Sequence, residues 1–487
     1  MSLSEEFGAA MAQAAQAQVV VVGDLMLDRY IHGSVGRISP EGPVPVFLER
    51  ETTHRLGGAG NVCDNLTALG VAPHLTAAVG EDDEGAVLAD LVANTTSGAD
   101  LIRRSDVPTT VKTRYVARAQ QLMRVDREQA KGLGEADAKA LINATQAALP
   151  GAALLILSDY AKGVLTDEVA EALIGCALTA AVPIIVDPKS SDFSKYRGAT
   201  IVTPNLSELR QASGGALDSR EEITAAARAL VQAHNLGAIA VTLSEDGILI
   251  VSADESFSAR AVKSDVYDVT GAGDTVVATL AACLAGGLSL SAAAEIAMVS
   301  AGIAVTHPGA VSVSTAEIQS ALTTMALRPE AKVIRDWNAL AETVTRWRAM
   351  GQKVGFANGV FDLLHPGHLS LLSQAATACD RLVVAINADE SVKRLKGPTR
   401  PIQSEDTRAR VLSAIEGVDA VTIFAEDTPF EVISVLKPDL LVKGSDYTVD
   451  QVVGADIVQA NGGQVLLVDL VSGFSTTGTV AKITGDT

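Results

Sequence analysis

Short runs of β-branched residues alternate with Ala-rich stretches of helical period along almost the whole chain. That alternation restricts it to an α/β architecture built on a largely parallel sheet. Gln18 to Val22 reads as the first buried strand, and Ala153 to Leu157, Pro183 to Val186 and Ala238 to Leu243 read as later ones. Two stretches, Val44 to Glu49 and Val111 to Val125, alternate as strands with no helix between them. They are predicted to form a small β flap covering a site. The rhythm lapses from Thr323 to Arg335, after the helix-like Thr315 to Leu322. An amphipathic segment, Trp337 to Met350, follows, and a second β-α series starts at Lys353. The 487 residues thus divide into a first domain over 1–327, a connector over 328–352 and a second domain over 353–487.

Composition narrows the function. A net charge of -20 argues against a general nucleic-acid binder, but local cations and helix N-termini still allow phosphorylated small molecules. Cys63, Cys176, Cys283 and Cys379 form no CxxC pair and stand in apolar or Ala-rich surroundings, as expected of buried free thiols in a reducing compartment. The N-terminus is acidic where a signal peptide would be basic. The longest apolar stretch, about Val276 to Val305, is broken by Gly286-Gly287, several serines and Glu295. It reads as two packed helices, and a cytoplasmic location without membrane contact is expected.

Asp268-Val-Thr-Gly-Ala-Gly-Asp274 precedes a small-residue helix, Thr275 to Leu284. Gly271 and Gly273 let the backbone turn tightly and aim N–H groups at an anion, and the helix adds its positive end. Asp274 can accept a proton from a hydroxyl attacking a γ-phosphate, or it can simply cap the helix. Gly57-Gly-Ala-Gly-Asn61 opens the helix-like Val62 to Leu69 with donors for sugar hydroxyls. Asp24 and Asp28 follow the first strand, where ligands of open α/β sheets bind. Asn205-Leu206-Ser207-Glu208 suits a hydrated Mg²⁺, or equally a helix cap.

In the second half, strand Val354 to Ala357 runs into Asn358-Gly-Val-Phe-Asp-Leu-Leu-His365-Pro-Gly-His368, and helix-like Leu369 to Ala378 runs out. Pro366 suits a first helical position, so both imidazoles stand at a helix N-terminus, able to donate to triphosphate oxygens. The rival, a Zn²⁺ site, lacks an HExxH pattern and a nearby Cys or third His. Ser391-Val-Lys-Arg-Leu-Lys396 offers Lys393 and Lys396 to phosphates, or is a solvated helix face. Lys443-Gly444 follows strand Leu440 to Val442, where a ligand loop belongs.

The first group of segments, across residues 15–325, resembles the ribokinase-like (PfkB) family of carbohydrate kinases, whose signature ends in the pattern standing here as Gly271-Ala272-Gly273-Asp274. The resemblance implies Asp274 as catalytic base, the Gly271–Gly273 backbone as anion hole, and Asn205 to Glu208 at Mg-ATP, with Asn205 and Glu208 reaching Mg²⁺ through water. It also implies Asp24, Asp28, Gly57, Gly58 and Asn61 at the sugar, and Ser244, Gly247, His307 and Gly309 near the nucleotide. The second group resembles the HxGH nucleotidyltransferases, a smaller Rossmann-like fold. That implies His365 and His368 as catalytic, with Asn358, Gly359, Phe361, Asp362, Lys443, Gly444 and the hydroxyl-rich Ser475, Thr476 and Thr477 at the nucleotide.

The order of the halves, with Ile38 to Val46, Ser158-Asp-Tyr-Ala-Lys-Gly163 and Leu395 to Pro401, is similar to the bifunctional heptose 7-phosphate kinase / heptose 1-phosphate adenylyltransferase family of lipopolysaccharide-core biosynthesis. Ser445 stands where that family has Gly. The resemblance implies ATP as substrate of both reactions, Mg²⁺ as cofactor and a homodimer. Within the predicted flap, Lys112, Arg114, Arg118 and Arg124 are placed to receive the sugar's distal phosphate, or are simply solvated. Another sugar kinase joined to a cytidylyltransferase, or to a non-catalytic nucleotide-binding module, is the competing reading.

Overall fold

The computed structural model describes residues 3–117, 120–262, 265–326, 332–445 and 447–469; Arg118 and Ser475, Thr476 and Thr477 lie outside them. Packing divides the chain at Leu322/Thr323 into two units, each with its own sheet.

The first unit is organised by one long strand, Gln18–Ile38. Its start, Gln18 to Asp24, lies between the parallel strands Ala72–Gly80 and Ala152–Ser158. Val19 to Val22 are fully buried because helices cover both faces of the sheet, which is why the run carries no polar alternation. Beyond Asp24 the same strand leaves the sheet. It pairs antiparallel with Pro45–Gly58 and parallel with Val111–Ala117, whose other edge carries Gln120–Arg127. These strands are the flap. It is larger than its two sequence signals because the far half of the first strand belongs to it, where the residue pattern mixes Asp, Arg and Gly with apolar side chains.

In the main sheet, Ala72–Gly80 and Gly98–Arg104 extend to one side of the first strand. Ala152–Ser158, Ile184–Asp187, Ile201–Val202 and Ala238–Thr242 extend to the other, and the antiparallel Ile248–Ser252 and Ser256–Ala259 close that edge. Strand order therefore reverses at Gln18–Ile38, which opens a crevice at the carboxyl ends. The apolar stretch from Val276 forms two helices, Ala272–Ala285 and Leu290–Ala304, packed on one another. Among the described residues no helix is long and apolar enough to cross a membrane.

The second unit holds a parallel sheet in the order Ala420–Phe424, Arg381–Asn387, Val354–Gly359, Leu440–Gly444, Gln464–Val468. Its order reverses between Val354–Gly359 and Leu440–Gly444. Much of the stretch read as a connector is built into this unit. Val333 bridges Val421, and helix Trp337–Ala349 buries Leu340 and Val344 against Phe356, Ile433 and Leu436. The physical reason is its apolar stripe, which covers one face of the sheet; Trp337 Nε1 also donates to the Ile423 carbonyl at 3.1 Å. All four cysteines are free; Cys63 and Cys283 are buried, while Cys176 and Cys379 are only partly so.

Candidate functional site

In the first unit, Gly271 adopts φ 79° and caps helix Ala272–Ala285. A Cβ at this position would meet Ala310 Cβ and Asn61 Nδ2, each at 2.9 Å, so only glycine makes this turn. A Cβ on Gly273 would meet nothing, leaving the helix start open to a ligand. Asp268 braces the loop, accepting from Thr270 N and Oγ1 and from Gly309 N. Asp274 does not cap the helix with its side chain. Its buried carboxylate instead receives Asn61 Nδ2 at 2.6 Å on Oδ2 and the Tyr160 hydroxyl at 2.5 Å on Oδ1. Burial pushes its pKa up to about 6, against the pull of those two hydrogen bonds. A carboxylate ionised at neutral pH with raised basicity suits a general base, although a helix N-terminus by itself would weaken it.

Several residues expected at the sugar are committed to building this site. The Asp24 carboxylate accepts the backbone N–H groups of Tyr160, Lys162 and Val164, which shapes the loop after strand Ala152–Ser158. Asn61 spends its amide donor on Asp274 and is braced by Asn65, which Thr275 in turn contacts. Gly58 has φ 61°, and a Cβ there would lie 2.3 Å from the Asp24 carbonyl; one on Gly57 would lie 2.8 Å from Asp28 Oδ2. Asp28 forms a buried ion pair with Arg114 at 2.6 Å, and Arg114 and Arg55 both stand over the Tyr30 ring. Arg114, offered from sequence to a distal phosphate, thus has its charge neutralised within the flap base. Lys112, over the Tyr160 ring, brings a flap cation to this chemistry, and burial lowers its pKa.

Asn205 and Glu208 form a capping box: Asn205 Oδ1 accepts Glu208 N, and Glu208 Oε2 accepts Asn205 N. Glu208 Oε1 also pairs with Lys189 at 2.8 Å. Of the two sequence readings the cap is therefore realised, and Leu206 and Ser207 lie in the first turn of that helix. Direct metal ligation by this pair would break the cap, whereas outer-sphere contact to a hydrated cation would not. Nearby Asp187 has its pKa raised well above normal by burial and by the charges of Asp274 and Glu208, and a divalent cation would offset that negative excess. Ser244 and Gly247, both at positive φ, form the tight turn after strand Ala238–Thr242. His307 Nδ1 contacts Ile303 O and Thr306 Oγ1 at the end of the preceding helix.

In the second unit, His365 is the N-cap residue of helix Pro366–Thr377, with Pro366 at its first position. The His365 and His368 rings stack at 3.8 Å, and Phe361, held at φ 48°, packs on His368 at 5.0 Å. Burial lowers both pKa values, that of His368 to about 4 with the help of His365, so both rings are neutral at pH 7. Each then offers one N–H donor without the cost of burying a cation. Across the strand-order switch, Lys443 Nζ donates to Asn358 Oδ1 at 3.0 Å, joining the two strand ends that carry Gly359 and Gly444. Asp362 is committed to scaffolding. It accepts Arg400 Nε, Ile402 N and Gln403 N, tying the histidine loop to segment 400–403. Lys393 and Lys396 lie on an exposed helix face, with Lys393 paired to Glu390.

Sequence reasoning passed over two groups. Fully buried Arg408 reaches the Val360 carbonyl, the Gln403 carbonyl and Asp389, so it clamps the same loops from below. Tyr160 lay inside a quoted motif but had no role until the fold put it against Asp274. No local signal marks either residue, since both act through partners far away in sequence.

Comparison with known proteins agrees with this division. Residues 16–317 match the pfkB family of carbohydrate kinases and residues 356–471 the cytidylyltransferase-like family. Curated relatives include the bifunctional protein HldE of Paramagnetospirillum magneticum, 51% identical with 96% of each chain covered. The bifunctional protein HldE of Rhodospirillum rubrum is 46% identical over 98% of this chain and 96% of its own. Among solved structures, phosphofructokinase-2 from Escherichia coli superposes with a TM-score of 0.56 at 20% identity, over 64% of this chain and 99% of that one. Arabidopsis thaliana ribokinase does so with a TM-score of 0.50 at 18% identity, over 63% and 98%. At such identities the structural likeness establishes the ribokinase-like fold of the first unit.

Proposed function

This chain belongs to the bifunctional HldE family, and from that premise we propose that it carries out two steps in making a nucleotide-activated heptose. The first unit phosphorylates C1 of D-glycero-β-D-manno-heptose 7-phosphate with ATP. After another enzyme removes the 7-phosphate, the second unit transfers AMP from ATP to the heptose 1-phosphate, releasing pyrophosphate. The observation that carries the first step is the buried Asp274 carboxylate, basic enough to take a hydroxyl proton, beside the open N-terminus of helix Ala272–Ala285. As the sugar oxygen attacks, Asp274 accepts its proton, and the backbone N–H groups from Gly271 to Gly273 hold the charge gathering on the transferred phosphoryl group. Mg²⁺ would sit near Asp187 and Glu208, mostly through water, and when bound neutralises phosphate oxygens. Lys112 is the cation best placed to read the distal phosphate, with Arg114 and Arg118 as the sequence-derived alternatives.

The second step is supported by the stacked, neutral His365 and His368 at a helix N-terminus beside Lys443. Their N–H groups donate to triphosphate oxygens while the acceptor phosphate attacks the α-phosphorus and pyrophosphate departs. Exposed apolar residues on the flap, Leu48, Leu122, Met123 and Val125, support the homodimer. The use of ATP and the four free thiols support a cytoplasmic location.

The test is pyrophosphate release from ATP or CTP against a panel of sugar 1-phosphates, alongside ADP formation with the corresponding 7-phosphates. ATP with the heptose substrates should turn over fastest in both assays, and His368→Ala should abolish only pyrophosphate release. Faster turnover with CTP or with another sugar would replace the heptose reading. Pyrophosphate release unchanged in His368→Ala would remove the histidines from the mechanism.

A further inference from the structure

The loop Ser158–Gly163 leaves the main sheet at the end where Asp274 lies, and its backbone is held on two sides. Asp24 accepts from the N–H groups of Tyr160 at 2.9 Å, Lys162 at 3.0 Å and Val164 at 3.0 Å. The Asp159 carboxylate receives Ala161 N, Lys195 Nζ and the Tyr196 hydroxyl, within 2.6 to 2.8 Å. Ala161 at φ 56° and Gly163 at φ 109° supply the left-handed turns this path needs; a Cβ on Gly163 would lie 2.2 Å from the Lys131 carbonyl. So tightly held a loop leaves the Tyr160 side chain little freedom, and its hydroxyl meets Asp274 Oδ1 at 2.5 Å. Lys112 stands over the same ring, 5.8 Å from its centre.

We propose that Tyr160 is a positioning residue for phosphoryl transfer: its hydroxyl, aimed by the Asp24-anchored loop, clamps one oxygen of Asp274 and so orients the carboxylate toward the attacking sugar hydroxyl. This rests on the reading of Asp274 as the base. With Asn61 on Oδ2 and Tyr160 on Oδ1, the carboxylate cannot rotate, and each oxygen keeps a lone pair for the substrate. Tyr160 is itself held protonated, because burial and the adjacent Asp274 push its pKa far above normal, so it acts only as a donor. No proton is transferred to or from it.

The clamp also bears on pH. The groups facing Asp274 are Tyr160 and Asn61, which stabilise its charge, Lys112 from the flap, which does the same, and Asp28 and Asp187, which oppose it. Tyr160 is the largest of the stabilising influences. Removing its hydroxyl raises the proton affinity of Asp274, so the base is protonated to higher pH and the acidic limb of kinase activity moves up.

The experiment compares the full-length protein with Tyr160→Phe, with a variant carrying 3-fluorotyrosine at position 160, and with Asp274→Asn. Sugar-dependent ADP formation is followed from pH 5 to 9 at saturating ATP. Ionisation of the sugar phosphate is common to all and cancels in the comparison. For Tyr160→Phe, kcat should fall about tenfold, the loss typical of a hydrogen bond to a charged group, with little change in KM for the sugar. Its acidic limb should shift upward, whereas fluorotyrosine, a stronger donor, should shift it downward. Limbs unmoved in both variants would overturn the proposal. So would a rise in KM without a limb shift, which would make the ring a wall of the sugar site. If Tyr160→Phe does not fold, the fluorotyrosine limb alone decides. Substantial turnover in Asp274→Asn would sink the base reading itself; an inactive Asp274→Asn with unmoved tyrosine limbs would sink only the positioning role.

Discussion

Asp274 shows how a single residue trades stability for function. An unfolded aspartate titrates near its ordinary value of 3.8, and folded Asp274 near 6. A carboxyl raised on folding favours the native state in acid. Its cost to folding therefore grows from pH 3.8 and is complete above about pH 6, at about 3 kcal/mol from the size of the displacement. Asp274→Asn is expected to lower kinase turnover by at least about 10²-fold, the lower range for general-base catalysis. At pH 7.5 the variant should unfold no earlier than the native protein in differential scanning calorimetry, and any advantage should shrink below pH 6 and vanish only below the unfolded value of 3.8, where Asp274 is neutral in both states. A lower unfolding temperature at pH 7.5 would contradict the assigned burial cost.

At the scale of elements, helix Trp337–Ala349 decides where the second unit begins. Its Leu340 and Val344 are fully buried, and Arg348 reaches Asp439 and the carbonyl of Leu436. Losing one such leucine typically costs about 2 to 5 kcal/mol, a large part of the roughly 5 to 15 kcal/mol that holds a domain folded. A fragment of residues 353–487 is therefore expected to be insoluble or to lack a cooperative thermal transition. One of residues 332–487 should unfold in a single transition and release pyrophosphate. Equal stability of the two fragments would show that the helix packs without contributing. This element was legible from its amphipathic period, but its allegiance was not: an apolar stripe declares that it will be buried, not against which sheet.

At the scale of the whole molecule, each unit has its own sheet and core, and the catalytic groups proposed for each reaction come from one unit only. Residues 1–326 and 332–487 expressed separately should thus give two active enzymes. By sedimentation, the first should be a dimer through its apolar flap and the second a monomer. The kinase fragment should require a 7-phosphorylated heptose, and the transferase fragment should not. Two folded fragments that both lack turnover would mean that the reactions share residues across the chain, and a monomeric kinase fragment would remove the flap as the dimer contact.

What the sequence determined by itself is whatever depends on neighbours along the chain. The alternation of strands and helices, the Gly271 turn that opens a helix, and the proline-led helix behind His365 are all local, because backbone dihedrals and helix N-termini are set within a few residues. What only the tertiary structure decided is which side chains spend their polar atoms on one another. Asp24 and Asp362 carry charges in ligand-facing loops, and from sequence alone a carboxylate there reads as a ligand-binding group. In the fold, their oxygens are taken by backbone donors 136 to 140 residues away for Asp24 and about 40 away for Asp362. Tyr160 is the converse case, an ordinary loop residue until burial and a 2.5 Å contact join it to Asp274, 114 residues away. A buried polar atom must find a partner, and the fold, not the sequence neighbourhood, chooses it.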